Sequence, residues 1–215
     1  VKVNMSKVEI TEPLKREVLA NPLLLPYLRV YPVAAHEKAV LFVNGQLVKV
    51  LSTGDYYFWK NSTPVVVLKT DMRSRQLELN GQEILTKDKA ALRVNFTAQY
   101  KVVAVEKALV ENKEYERSLY ILLQLALRQY LSALTLDEVL ASKEAVAPYV
   151  LNAVTAPAAE LGIKVSHCGI RDIILPGEVK DIMNQVLVAQ KKAEANTITR
   201  REETATTRSL LNTAK

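Results

Sequence analysis

From Glu178 to Lys215 the chain contains neither glycine nor proline, a run of about 38 residues that spans on the order of 57 Å if it forms one helix. Few single domains bury a helix of that length, so the chain is expected to carry a long element that its own core does not cover. Ile182, Val186, Ala189 and Ala193 follow a heptad seam, whose later positions fall on Asn196 and Arg200. Ala189, Ala193 and Ala195 allow close helix approach, while Arg200-Arg201, Glu202-Glu203 and Arg208 provide charged faces able to pair between chains. A helix that is polar over much of its circumference is marginal alone. Residues 178–215 are therefore expected to need neighbouring copies of themselves. The oligomerisation candidates are Ile182, Val186, Ala189, Ala193, Arg200, Arg201, Glu202 and Glu203.

The residues ahead of this segment read as a head. Residues 1–32 form a lead-in, with a charged helical piece around Glu12 to Ala20 and then Asn21-Pro22-Leu23-Leu24-Leu25-Pro26, where prolines stop any long helix. From Val33 short alternating runs begin. Ala39 to Val43, Asn44-Gly45 and Gln46 to Leu51 predict a hairpin with a type I′ turn, and Asn80-Gly81 predicts a second turn between Gln76–Leu79 and Gln82–Thr86. In the next strand Leu92, Val94, Phe96, Ala98, Tyr100 and Val102 share one face, and Arg93, Asn95, Thr97, Gln99 and Lys101 share the other. That alternation predicts an antiparallel sheet with one dry face.

After Val103 the period becomes helical. Leu119, Leu122, Leu123, Ala126, Leu127, Tyr130 and Leu131 form one stripe. Thr135 and Glu138 have capping-box spacing, and a further helix from about Glu144 closes near Leu161 with Gly162 as its left-handed stop. Ile163 to Val165 then resume a strand. The fold class is α+β: a mostly antiparallel sheet with packed helices, followed by a long coiled-coil-like C-terminal helix.

Composition narrows the function. The net charge of +6 is the small difference between 29 basic and 23 acidic residues scattered along the chain, which argues for a mixed, solvated surface rather than a nucleic-acid footprint. Cys168 is the single cysteine and His36 and His167 are the two histidines, so no disulfide forms within the chain and no zinc set can be assembled. His167 and Cys168 are neighbours and point to opposite sides of a strand, which excludes them as a nucleophile and base. Helix capping accounts for Asp137-Glu138, and a solvated helix face for Glu202-Glu203. No glycine-rich phosphate loop is present. The expectation is no catalytic residue, no cofactor and no metal. No apolar run reaches the ~20 residues needed to cross a bilayer. The chain opens on Val1 and stops inside a helical pattern at Lys215, so it reads as a fragment, with room for an anchor outside it.

Three stretches together resemble the stomatin, prohibitin and flotillin (SPFH, band 7) family, in its stomatin-like slipin branch of bacterial type. Leu85-Thr86-Lys87-Asp88 resembles the family's LTKD turn, Thr135-Leu136-Asp137-Glu138 its TLDE helix start, and Ile170 to Pro176 its I-x-D-I-x-L-P strand. The tail from Glu194 to Ala214 is similar to the slipin tail. The resemblance implies a first, β-rich subdomain over 33–103, a second, α/β subdomain over 104–177, and the start of a helical stalk over 178–215. It also implies a self-assembling, non-enzymatic scaffold, forming rings or cages, that organises membrane microdomains and modulates membrane proteins such as proteases. The implied location is the cytoplasmic face of the inner membrane. A soluble oligomeric adaptor with a cytoplasmic pool is the alternative, and a basic nucleic-acid module the remote one. Val1 to Tyr31 replaces the family's hydrophobic membrane hairpin with a charged segment.

Two segments offer membrane contact. Tyr56, Tyr57, Phe58 and Trp59, followed by Lys60, suit a headgroup layer, the alternative being a strand that divides these rings between core and surface. Leu23 to Tyr27 is a second apolar candidate, with packing under the head as its alternative. Asp172 is expected to make an intersubunit or stalk-base salt bridge.

Overall fold

The computed structural model describes residues 5–10, 14–19 and 21–213. The expected helical piece at Glu12 to Ala20 keeps only a short helix α1, Arg16–Leu19, and its end residues Glu12 and Ala20 lie outside the described residues, as do Val1, Ala214 and Lys215. Strand β1, Leu28–Val33, pairs antiparallel with β4, Gly54–Trp59. Between them β2 (Glu37–Val43) and β3 (Gln46–Leu51) form the expected hairpin, with Asn44 at φ 53° and Gly45 at φ 75°, the two positive angles that a type I′ turn requires. Strand β5, Val65–Asp71, lies on the other side of β2.

The two-stranded β1–β4 sheet and the β3–β2–β5 sheet are followed by a third, which holds the larger core. Its strands β6 (Arg75–Leu85), β7 (Ala91–Val102) and β8 (Ile163–Ile174) lie in that spatial order, all antiparallel. Strand β7 buries the predicted apolar set from Leu92 to Val102 and leaves Arg93, Gln99 and Lys101 exposed. Helix α2 (Tyr115–Ser132) covers that dry face with Leu119, Leu123, Leu127 and Leu131, all fully buried. Each such leucine stabilises the fold by about 1.5–3 kcal/mol of transfer free energy. The short α3 (Leu136–Ala141) and then α4 (Lys143–Glu160) complete the layer. Beyond β8 the chain enters α5, Gly177–Thr213.

The fold corrects two readings. Asn80-Gly81 is not a hairpin turn: β6 runs through it, and the pair bulges opposite the single residue Asn95, between the Leu79–Phe96 and Gln82–Val94 pairings. Gly81 takes φ 64° there, which a two-for-one bulge demands as much as a turn does. The lead-in is also shorter than expected, since β1 begins at Leu28 and residues ahead of it pack on β4: Trp59 N–H donates to Val8 O at 3.0 Å, and Glu9 bridges to Phe58.

Candidate assembly and membrane-facing surfaces

Two of the motifs that are distant in sequence meet in space. Thr86 and Asp88 lie in the β6–β7 loop, and Thr135 is the N-cap of α3. Thr86 Oγ1 donates to Asp88 Oδ1 at 2.5 Å, while the same carboxylate accepts from the Leu136 N–H at 3.2 Å. Lys87 N–H donates to Leu134 O at 2.8 Å. The capping box forms as its spacing predicts, with Thr135 N–H donating to Glu138 Oε2 and Glu138 N–H to Thr135 Oγ1. Asp88 thus supplies a second anion at the α3 N-terminus, where unpaired N–H groups favour one.

The Thr86 hydroxyl, helped by backbone N–H groups including that of Leu136, holds the Asp88 carboxyl below its ordinary range. A carboxyl with a depressed folded pKa stabilises the fold above its unfolded value, and that contribution disappears as pH falls through the folded value. In thermal melts the parent should therefore lose melting temperature more steeply than Asp88→Asn as pH drops below the ordinary carboxylate range. Parallel slopes for the two proteins would remove this role.

The third motif lies on the open face of the β6–β7–β8 sheet. Within the chain Asp172 is engaged by Asn95, whose Nδ2 donates to its Oδ1 at 2.6 Å, because β7 places Asn95 directly opposite it. Asn95 Oδ1 in turn accepts from Gly81 N–H at 2.6 Å, so one amide ties together the bulge in β6 and the motif in β8. Arg171 spans the same face to Glu78 and Asn80.

A polar knot joins the two halves of the head. Arg75 Nη2 donates to Tyr115 Oη at 2.6 Å and lies 2.5 Å from Glu116 Oε1. Tyr115 Oη is 3.1 Å from Thr70 Oγ1 on β5, and Tyr100 Oη donates to Glu116 at 2.8 Å. Burial, reinforced by that bond to Glu116, pushes the Tyr100 phenol above its ordinary value. Sequence reasoning missed this cluster, since its members come from four separate elements.

Helix α5 carries all the oligomerisation candidates. Val179 and Met183 turn back onto the head core, but Ile182 is 60% and Val186 52% exposed, and Ala189 and Ala193 are exposed beyond them. Among the described residues, Arg200, Arg201, Glu202 and Glu203 make no ion pair. Further along, the hydroxyls of Thr197, Thr199, Thr204, Thr206 and Thr207 each donate to the carbonyl four residues earlier. Threonine is a weak helix former, so this half of α5 draws little stability from its own sequence.

The aromatic run is covered rather than split between core and surface. Phe58 (3% exposed) and Trp59 (2%) are buried. They point to opposite sides of β4, and both sides are covered at that end, so neither ring is offered to a membrane. Tyr56 and Tyr57 are half-buried, and Tyr56 Oη donates to Ser52 O at 2.9 Å. The exposed apolar side chains lie instead in the second candidate: Leu23 is 80%, Tyr27 55% and Leu25 44% exposed.

Cys168 Sγ donates to Ala147 O at 3.4 Å, and burial raises its thiol pKa, the environment of an inert cysteine. Among the described residues no cluster of His, Cys, Asp and Glu could hold a metal ion, and no helix is long and apolar enough to cross a membrane.

A head of antiparallel sheets and packed helices that passes its last strand directly into a long exposed helix defines a helix-tailed head module. The sequence profile of the SPFH domain / Band 7 family matches residues 33–204, and the chain belongs to that family. It is 32% identical to an uncharacterized protein of Methanocaldococcus jannaschii over 60% of this chain and 65% of that one. It is 25% identical to stomatin of Mus musculus over 83% of this chain and 63% of that one. A stomatin homolog of Pyrococcus horikoshii is 27% identical over 76% of this chain and 60% of its own length. The matched region thus spans less than two thirds of each of these three relatives. They are archaeal and animal, and they support kinship with stomatins at the level of the family.

Proposed function

We propose that this chain is the head and stalk base of a non-enzymatic, self-assembling scaffold of the stomatin type, in the bacterial slipin branch. In this reading it gathers on the cytoplasmic face of an inner membrane, organises the local membrane and modulates partner membrane proteins such as proteases. The observation that carries the reading is α5, which leaves the head with Ile182 60% and Val186 52% exposed. A lone helix of this composition is marginal in water, and copies aligned along it would cover the apolar positions. Assembly would also multiply weak contacts made by each head, because linked modules bind with an avidity that single modules lack.

Sedimentation velocity of this chain beside a version ending at Pro176 tests the reading. The full chain should sediment as an oligomer at micromolar concentration and the shortened one as a monomer, with circular dichroism confirming that the shortened head stays folded. Two monomers would remove the assembly claim, and two oligomers would move it from α5 to the head.

A further inference from the structure

The outer edges of the two three-stranded sheets are β3, β5, β6 and β8, and three of them are interrupted. On β3 the register slips at Val48, between the Leu41–Lys49 and Phe42–Leu47 pairings. On β6 it slips at Asn80-Gly81, and on β8 at Ser166 and Arg171, which have no partner on β7. Such bulges bend an edge away from pairing with another chain. Strand β5 has none, since Val65 to Asp71 pair with β2 residue by residue. The direction of its main-chain groups follows from its ends. Asn44 N–H donates to Pro64 O at 3.1 Å and Met72 N–H to His36 O at 2.8 Å. The even-numbered residues therefore bond toward β2, and by alternation Val65, Val67 and Lys69 turn N–H and C=O away from it. Tyr31 Oη donates to the Val65 carbonyl at 3.1 Å. Among the described residues no hydrogen bond of the chain reaches the outward groups of Val67 and Lys69. Beside this edge Val66 is 50% and Leu68 41% exposed, while on the opposite face Val67 is half-buried and Lys69 lies 3.7 Å from Glu37.

We propose that the open edge of β5 is a docking site for an extended segment of another protein, which joins the sheet as a fourth strand. A row of main-chain groups left unpaired along a strand is satisfied in full only by another extended chain. The flanking side chains set the chemistry of that segment. Its residues alongside Val66 and Leu68 are apolar or β-branched, and the alternate ones, on the side of Val67 and the Lys69–Glu37 pair, are small or polar. Size favours a segment over a second copy of this chain. An edge of seven residues, with Tyr31 already at its Val65 end, falls short of the ~800 Å² per partner that a stable dimer buries. The site is complete within one head, so it stands whether or not α5 assembles.

The test is fluorescence anisotropy of the full chain with a labelled synthetic peptide that alternates threonine and valine between two terminal lysines. The parent should bind it saturably. Lys69→Pro, which removes one outward N–H and no bond to β2, should weaken binding at least about tenfold. Lys69→Ala keeps the N–H and should bind like the parent, which separates the main chain from the lost Glu37 contact. Leu68→Lys changes only an exposed side chain and should weaken binding several-fold, so the proposal stays open to refutation even if the proline variant melts early. Val48→Ser, on the bulged β3 edge of the same sheet, should change nothing. The same peptide with its alternate amides N-methylated along both edges should not bind, since it cannot pair as a strand. Any of three results would overturn the proposal: no binding by the parent, equal binding by Lys69→Pro and Leu68→Lys, or a loss in Val48→Ser that matches theirs. Sedimentation of the same variants identifies the competing occupant. A parent that ignores the peptide but loses self-association in Lys69→Pro uses this edge for a second copy, and the proposal then fails while the scaffold reading survives.

Discussion

Gly162→Ala should destabilise the head by about 2–5 kcal/mol, a large share of the ~5–15 kcal/mol that holds an ordinary domain together. Gly162 ends α4 at φ 73°, and an L-residue in that region costs roughly 1–2 kcal/mol. Space adds to the cost. A Cβ there would lie 2.3 Å from Ala104 O, 2.9 Å from Lys107 Cβ and 3.1 Å from Ala108 N. Two of these three atoms are backbone and cannot rotate away, and forced overpacking costs about 1–3 kcal/mol more. The carbonyl of Gly162 also accepts from the N–H groups of Val103 and Ala104, at 2.8 and 3.0 Å, so any shift that relieves the clash strains the exit from β7. Gly81→Ala is the matched comparison, because φ is 64° there and nothing lies within 4 Å of the added carbon. It should cost only the conformational part, about 1–2 kcal/mol. Urea denaturation of the two variants measures the difference, and equal losses would refute the steric part of the argument.

Local rules were readable from local sequence. The alternation from Leu92 to Val102, the leucine stripe of α2, the Thr135–Glu138 box and the Asn44-Gly45 turn each depend on residues within a few positions of one another, and each took the expected form. What failed depended on distant partners. Asn80-Gly81 carries the same signal for a turn and for a bulge, and only the pairing of residues on both sides with one continuous β7 decides between them. Strand β1 was hidden because its partner β4 is remote in sequence and Pro32 interrupts its pattern. Phe58 and Trp59 looked available because alternation marks one face of a strand as wet, yet lead-in residues such as Val8 approach β4 and both rings are covered. The surface proposed for assembly is legible for the opposite reason, since the apolar Ile182 and Val186 stay more than half exposed on a helix that runs away from the head.

Ile182→Asp combined with Val186→Asp should weaken self-association by about a thousandfold while leaving the head as stable as the parent. The two residues are one helical turn apart and exposed, so in the isolated chain the aspartates stay in water and cost little, as surface substitutions generally do. The neighbouring Val179 and Met183, which pack on the head core, are untouched. In an assembly that buries the seam, each carboxylate must be desolvated without a partner or take up a proton. At about 2 kcal/mol or more apiece, the pair amounts to roughly three powers of ten in the dissociation constant. Arg200→Ala with Arg201→Ala gives the contrast. Exposed ion pairs contribute about 0–1 kcal/mol, so this variant should weaken assembly only a few-fold and reduce its sensitivity to salt. Sedimentation across a dilution series reads both effects. If the aspartate variant assembles like the parent, the interface lies elsewhere on α5 or in the head. If the arginine variant is the more damaged, the stalk is held by charge and the seam reading fails.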